Sequence, residues 1–512
     1  MKLCRALAAI ALLAPLHLRA QAAPYLPIDD ISYSYVDALM SRGVLRGLSV
    51  TERPYLVTTV RAAIDSAAMA PESPVIKSFL DALSTSIRRY ELTKAGESVT
   101  ARMPFRASAT FDVFATAQSS ARRELMLADT LNAFEPGTTG YFVMGGGHLA
   151  GAVRVALDNR LNTDPEFTGR KDRKIAGRTE DAYLSGQWKY ALVDFGRVGR
   201  SWGPIGFSGL QVGNDAYTYD HLYARVGTDK FHVTTILARL ENYVISPGVE
   251  SSRYFSVHRL GVKRGGFEGG LSEGYLYTGV NRGLEFSLIN PLNVFGLSWR
   301  NERTDGNLNF GADAAWRTSH TGTYSAELLL DDIQIDKCDS ICHEPSSYGL
   351  TLTAEGVPLI GDQRLFASYS RVSNLAYHTP NVSERYASYG VGLGRGYSDY
   401  DEVRAGIDLA IVPRVPLRVF VAHRRQGEGD YRNPYPAVAD YGTTPGILSG
   451  IVWTVNRAAV SGAMTIGRDV QIDGEAGINQ NKNRMHLRGY DLTEFEGRVR
   501  IALVPRWLIR FE

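Results

Sequence analysis

From about residue 100 onward, apolar and polar side chains alternate along the chain with a period of two. In the segment 308–316 every second residue is apolar, from Leu308 and Phe310 to Trp316, and Asn309 and Asp313 are among the residues between them. The same alternation recurs at 323–330, 348–355 and 403–411. Successive side chains of a strand point to opposite faces, so each segment predicts a strand with one apolar and one polar face.

The connections between these segments are alternately short and long. Short ones include 226–230, 263–266, 317–322, 357–362, 412–416 and 467–469, and long ones include 118–138, 159–181, 200–218, 278–306, 332–346, 374–399 and 425–447. Short turns at one rim and long loops at the other are typical of outer-membrane barrels. The prediction is a mainly β fold, an antiparallel transmembrane β-barrel of about 18 strands over residues 99–512. A soluble β-sandwich is the alternative.

Two further observations bear on this barrel. The sequence contains 51 glycines, 27 tyrosines and 19 phenylalanines, which suits a long antiparallel sheet better than a soluble enzyme with alternating strands and helices. The strand count is even only if 278–306 is a single outer loop, whereas residues 293–300 are the one part of it that fits a strand. We interpret 278–306 as one loop.

Residues 1–22 have the features of a secretory signal peptide. Lys2 and Arg5 precede an apolar run at 6–18, and 20–22 reads Ala-Gln-Ala, a small-residue cleavage site. The apolar run is shorter than the roughly 20 residues that a membrane-spanning helix needs. Cleavage would remove three basic and no acidic residues, which lowers the formal net charge from +2 to −1. A near-neutral chain without a basic patch argues against a nucleic-acid partner.

Residues 23–98 predict a small helical domain on the periplasmic side. Asp29 and Asp30 are suited to cap a first helix, and Pro54 is placed to open a second. Ser73 and Pro74 begin the best pattern, in which apolar residues recur at helical spacing up to residue 90.

Two cysteines remain after the predicted leader, Cys338 and Cys342. An isolated close pair between turn residues in an exported chain predicts a small loop disulfide. A metal site completed by His343 and Glu344 is the alternative, although no second cluster stands nearby to complete a tetrahedral shell. We predict no metal and no cofactor.

The segment 196–217 ends a predicted strand with Trp202, Gly203 and Pro204 rather than with a two-residue turn. A barrel of this width has an aqueous lumen unless something fills it. A proline-fixed bend followed by several glycines permits close backbone approach, so we expect this loop to fold inward as a plug. Trp202 then either packs against the inner wall or offers its face to a sugar ring.

The sequence resembles the capsule assembly protein Wzi family over nearly the whole mature chain. The resemblance lies in ALMSRGVLRG (38–47), GRVGRSWGPIGFSGLQVGND (196–215), INPLN (289–293) and AELLLDD (326–332). It implies a barrel of about 18 strands with helices at the periplasmic end and outer loops that close the top. It also implies a non-enzymatic, lectin-like protein that attaches capsular polysaccharide or exopolysaccharide to the cell. Asn214 matches an amide of the family's segment, whereas Asp215 and Tyr217 differ from it.

Candidate ligand-binding residues are those whose side chains suit carbohydrate. Aromatic faces form rigid apolar platforms, and amide, guanidinium and carboxylate groups reach hydroxyls and uronates. The candidates are Arg200, Trp202, Asn214, Asp215, Tyr431, Arg432 and Tyr435. For Arg200, pairing with a lumen carboxylate is favoured over binding of an anionic sugar, and solvated outer loops have a similar composition without any ligand.

The expected partners are a surface polysaccharide, the lipid and lipopolysaccharide of the outer membrane, and the barrel-assembly machinery, with the chain itself a monomer. A porin for small solutes is the second functional hypothesis. A hydrolase is the third, but the histidines are scattered and none lies in a nucleophile or metal motif. We therefore predict that the protein is not an enzyme.

Overall fold

The structure is a computed structural model, and it describes residues 22–511 except 70–72, 93–104, 132, 303–305, 319, 333–344 and 506–508. The predicted leader before Ala22, the predicted domain boundary at 98/99 and the cysteine pair lie outside the described residues.

Eighteen strands form the barrel wall in the described part of the chain. They are β1 Arg106–Gln118, β2 Ala133–Gly146, β3 Leu149–Asp158, β4 Ala176–Gln187, β5 Ala191–Arg197, β6 Asp220–Gly227, β7 Phe231–Arg239, β8 Val249–Arg264, β9 Phe267–Gly279, β10 Asn307–Arg317, β11 Thr323–Asp332, β12 Ser347–Pro358, β13 Arg364–Val372, β14 Tyr400–Val412, β15 Val415–Gln426, β16 Trp453–Ile466, β17 Val470–Lys482 and β18 Leu492–Leu503.

Each wall strand pairs antiparallel with its neighbours in sequence, and the last strand closes on the first. Val113 of β1 lies opposite Leu503 of β18, and the short strand Ile509–Phe511 continues along β1 at Ala107–Ala109. A second short strand, Tyr243–Ser246, forms a hairpin with the start of β8. The predicted closed barrel is confirmed.

The alternation of the sequence separates the two faces of the wall. Phe195, Leu271 and Phe495 are more than 60% exposed on the outer face. Arg259 and Arg457, by contrast, are 2% exposed and form ion pairs inside. An apolar exterior and a polar interior are the pattern of a barrel that faces lipid.

The connections divide the barrel into a short-turn end and a long-loop end. Turns 147–148, 188–190, 228–230, 265–266, 318–322, 359–363, 413–414 and 467–469 lie at one end. At the other end, 280–306 carries two short helices, Phe286–Ile289 and Phe295–Glu302, and no strand among its described residues. The interpretation of this segment as one loop is confirmed, and the alternative strand at 293–300 is wrong.

Three α-helices and one 3-10 helix precede the wall in the described part of the chain: α1 Ser32–Met40, α2 Val57–Ala68, α3 Pro74–Ile87 and the 3-10 helix Arg88–Tyr90. Ser73 caps α3 as expected, because its hydroxyl accepts a hydrogen bond from the Ile76 amide at 3.2 Å. Helix α2, however, begins at Val57 and not at Pro54. Arg53 pairs with Ser201 through both backbone groups, and the Tyr55 carbonyl accepts from Leu26, so this stretch is held extended.

Residues 22–92, here called the N-terminal segment, close the short-turn end. Arg42 at the end of α1 donates to the Asp362 carbonyl at 2.9 Å, and the Tyr35 hydroxyl donates to the Arg414 carbonyl at 2.9 Å. The apolar faces of the helices share one buried cluster with Tyr141 and Tyr183 of the inner wall. The helices are therefore packed into the barrel mouth.

Candidate functional site

Residues 198–219, the connection from β5 to β6, fold into the lumen and are here called the plug loop. Its backbone closes on itself, since the Trp202 amide donates to the Val212 carbonyl at 2.8 Å. A Cβ added at Gly209 would overlap that carbonyl, so only glycine permits this approach. The inward loop predicted from the sequence is present.

The plug loop meets the N-terminal segment in the middle of the lumen. The Arg53 amide donates to the Ser201 carbonyl at 2.9 Å, and the Ser201 amide donates back to the Arg53 carbonyl at 3.0 Å. Ile205, 2% exposed, lies in the same apolar cluster as the helices. A loop from one end and a helical segment from the other thus touch through backbone and side chains.

The outer connection 373–399, between β13 and β14, covers the plug loop. The Tyr377 and Tyr386 hydroxyls each donate at 2.7 Å to plug-loop carbonyls, those of Leu210 and Gln211. Both tyrosine rings are fully buried and stack with centroids 5.7 Å apart. Buried hydroxyls without partners would be costly, so these bonds fix the two loops together.

Trp202 and Arg200 lie inside the barrel, below the outer surface. Trp202 is 4% exposed and packs in the apolar cluster around the plug loop. Arg200 donates from Nε to His221 Nε2 at 2.9 Å, pairs with Asp194, and lies 3.6 Å from the centre of the Tyr223 ring. Burial opposes its charge, but Tyr25 and Asp194 raise the pKa of Arg200. This is the pairing with a lumen carboxylate that the sequence favoured.

Arg200 and Trp202 line a cavity of about 800 Å³ between the N-terminal segment and the inner wall. Glu52, Arg225 and Arg259 are among its other lining residues. The cavity reaches the turns at 188–190 and 228–230, so it belongs to the short-turn end.

The structure brings three other candidates together around Gly396. The Gly396 amide donates to Asp215 Oδ2 at 2.7 Å. The Gly396 carbonyl accepts from the Tyr431 hydroxyl at 2.9 Å and from Arg432 Nη2 at 3.1 Å. Tyr431 is fully buried, and burial raises its pKa, so its hydroxyl acts as a donor. These three side chains join the plug loop, 373–399 and 427–452.

An acidic pair beside this junction was not singled out from the sequence. Asp164 accepts from Arg123 Nη2 and from the Tyr217 hydroxyl, both at 2.7 Å. Burial opposes its ionisation, but these two partners lower the pKa of Asp164. Burial raises the pKa of Glu166, whose Oε2 lies 3.9 Å from the guanidinium of Arg432. The connection 159–175 has no local pattern that marks these carboxylates; only the fold assembles them.

Asn214 is exposed, and Asp215, Arg432 and Tyr435 are half-buried. The backbone N–H of Asn214 donates to the Ser208 hydroxyl at 2.8 Å, and Asn214 lines a cavity of about 100 Å³ together with Ile28 and Arg154. Tyr435 is half-buried, with its ring edge-on to His378 at 5.0 Å. Tyr389 is 43% exposed, and its ring centroid lies 5.6 Å from that of Phe167. The sequence did not single out Tyr389 as a candidate. Asn214, Tyr389 and Tyr435 all lie on connections at the long-loop end.

The described residues contain no group of three or more His, Cys, Asp or Glu side chains arranged to hold a metal ion. None of their helices is both long enough and apolar enough to cross a membrane.

Comparison with protein-family models and with curated protein sequences gives no match. Comparison with solved structures gives Wzi of Escherichia coli, described as an outer-membrane protein involved in group 1 capsule assembly and a carbohydrate-binding β-barrel. The TM-score is 0.63 over 94% of this chain and 99% of Wzi, at 12% identity. The fold is that of Wzi.

Two Pseudomonas aeruginosa barrels are also similar, at lower scores. OccD3 (OpdP) has a TM-score of 0.46 at 10% identity, over 81% of this chain and 95% of that one. The outer membrane protein OprD has 0.44 at 8% identity, over 80% and 94%. At 12% identity the likeness to Wzi establishes the architecture, not the ligand.

Proposed function

We propose that this protein is an outer-membrane barrel that binds a surface polysaccharide at its long-loop end and holds it at the cell without chemical turnover. The observation that carries the proposal is the Wzi fold over nearly the whole chain, since the neighbour is described as carbohydrate-binding. The apolar outer face supports a membrane location, because exposed side chains such as Phe195 and Leu271 require lipid around them.

In this proposal residues 1–22 direct export, and 23–98 form the periplasmic part. The long loops then face the exterior. The short turns and the docked helices support this orientation, because barrels of this kind have short periplasmic turns and longer outer loops. The chain acts as a monomer that is inserted by the barrel-assembly machinery and contacts lipopolysaccharide through its outer wall.

The long-loop end, with Asn214, Tyr389 and Tyr435, is the proposed place of sugar binding. Aromatic faces and amide groups recognise pyranose rings and hydroxyls at low entropic cost. Asp215, Tyr431 and Arg432 support this end by holding its loops together. Arg200 and Trp202 act deeper, where they keep the plug loop in place.

The contact between the plug loop and the N-terminal segment favours binding over transport of solutes. Two backbone hydrogen bonds between Arg53 and Ser201 join the N-terminal segment to the plug loop inside the lumen. The two segments together leave less open cross-section for a solute. We therefore expect purified protein in planar bilayers to conduct far less than an open porin measured beside it. Steady porin-like conductance would instead support the channel hypothesis.

Retention of polymer on cells tests the attachment role. Deletion of the gene should release capsular polysaccharide into the medium without lowering the total amount synthesised. Asn214→Ala with Tyr435→Ala should reproduce the release, whereas Thr443→Ala, at the exposed end of the short 3-10 helix Val438–Thr443 in the same loop as Tyr435, should not. A fall in total synthesis, or unchanged retention in the deletion strain, would argue against attachment.

A further inference from the structure

Three arginines from separate parts of the chain line one cleft at the short-turn rim. Arg88 follows α3, Arg414 lies in the turn between β14 and β15, and Arg468 lies in the turn between β16 and β17. The cleft has a volume of about 360 Å³. Ser84, Thr85, Asp81 and Gly467 complete its lining.

The guanidinium groups of these arginines have no ion pair or hydrogen bond with any described residue. This is unlike the lumen, where Arg418, for example, pairs with Glu355 at 2.8 Å and Asp408 at 2.6 Å. Asp81 is the one carboxylate among the described residues of the lining. Three like charges around one cleft repel each other unless an anion lies between them.

The cleft lies where the outer wall passes from apolar to polar. Ile411 and Val412, 60% and 43% exposed, directly precede the turn that carries Arg414. Ile466, 49% exposed, lies two residues before Arg468. In a barrel surrounded by lipid, side chains just beyond this apolar band stand at the level of the headgroups.

We propose that this cleft binds the phosphate of a glycerophospholipid headgroup in the leaflet at the short-turn end. Guanidinium groups match phosphate oxygens bidentately, and hydroxyls add neutral donors. The Ser84 hydroxyl already accepts from Arg61 Nη1 at 2.7 Å, so its own hydrogen is directed elsewhere. The inference rests on the membrane location in the proposed function, but it concerns a different ligand at the opposite end of the barrel.

The test uses the full-length protein in detergent, with added phosphatidylglycerol measured by native mass spectrometry. Arg88→Gln with Arg414→Gln and Arg468→Gln should weaken binding about a hundredfold, since each cation near a lipid surface contributes about fivefold. Diacylglycerol, which lacks the phosphate, should not bind. Millimolar inorganic phosphate should compete, because it offers the same oxygens without the lipid.

A matched control removes three exposed cations at the long-loop end, with Arg170→Gln, Arg173→Gln and Lys174→Gln. It should leave lipid binding unchanged. Faster migration of unheated protein in gels containing dodecyl sulfate verifies that each variant is a folded barrel. Equal lipid binding by the arginine triple variant and the wild type, or tighter binding of inorganic phosphate than of phosphatidylglycerol, would overturn the inference.

The same variants separate this inference from the proposed function. The arginine triple variant should still fractionate with the outer membrane and retain polysaccharide on cells. If wild-type cells do not retain polysaccharide, the proposed function at the long-loop end fails. If the wild-type protein does not bind the lipid, the inference about the cleft fails.

Discussion

Asp399 is the residue at which two outer loops are tied together. It is fully buried and adopts a left-handed backbone with φ of 59°. Its Oδ2 accepts from the amides of Gly429 at 2.9 Å and Ser449 at 3.0 Å, and from the Ser449 hydroxyl at 2.5 Å. Buried polar atoms are costly without partners, and these donors satisfy the Asp399 oxygens. The Asp399 side chain therefore holds the connection 427–452 near its start, at Gly429, and near its end, at Ser449.

Asp399→Asn should loosen 427–452 without unfolding the barrel. Asparagine keeps the size of the side chain and tolerates the left-handed backbone, but its NH₂ group meets donors where the carboxylate accepted them. We expect the attachment of the loop to weaken by about 2 kcal/mol. Amide hydrogen exchange at 448–449 should become faster. Asp440→Asn, on an exposed part of the same loop, is the control, and equal protection in both variants would contradict the prediction.

At the scale of elements, the contact between 373–399 and 427–452 contains a titratable group. His378 Nε2 donates to the Asn433 carbonyl at 2.7 Å, and its ring packs against Tyr435. Burial, assisted by the nearby charge of Arg385, lowers the pKa of His378 to about 4. The ordinary histidine pKa is about 6.5, so the joined loops favour the neutral ring.

The contact between the two loops should therefore have its full stability above about pH 6.5 and lose stability as the pH falls toward 4. In this range the released loop takes up a proton that the joined loop excludes. Hydrogen exchange of 430–435, corrected for its intrinsic pH dependence, should show the loss. His378→Phe keeps a ring against Tyr435 but cannot titrate, so the change in this window should disappear. The same acid response in that variant would count against the mechanism.

The strands were predictable because their signal is local, whereas the contents of the lumen depend on contacts between distant residues. Phe310 and Trp316 face outward as the period of two requires, and 280–306 is one loop as the even strand count requires. Trp202, Gly203 and Pro204 also indicated an inward loop.

The partners of that loop left no local signal. Arg53 and Ser201 are 148 positions apart and join only through the fold. For the same reason the sequence placed α2 three residues too early. It also suggested Tyr431 as a ligand platform, although this ring is fully buried beneath 373–399. Asp164 and Glu166 stayed unnoticed, because a carboxylate in a loop is unremarkable until an arginine from another loop meets it.

At the scale of the whole molecule, the N-terminal segment and the wall depend on a close approach at Gly356. This glycine of β12 has φ of 72°, and the wall has a register shift between Ala354 and Val357. A Cβ at this position would overlap the Ser41 carbonyl at the end of α1. The adjacent Arg42 bonds to the turn of the same hairpin through the Asp362 carbonyl. The helices thus dock where the wall has no side chain.

Gly356→Ala should displace the end of α1 from the wall and open a leak for small ions. Gly361→Ala is a matched control in the turn of that hairpin, because its φ of 56° imposes similar backbone strain while no atom lies within 4 Å of an added Cβ. Both variants carry a strain of about 1–2 kcal/mol, and overpacking against Ser41 adds about 1–3 kcal/mol in Gly356→Ala alone. Gly356→Ala should therefore have the lower Tm and the higher conductance in planar bilayers. If the two variants conduct alike, the seal at the short-turn end does not depend on this docking, and the plug loop alone closes the lumen.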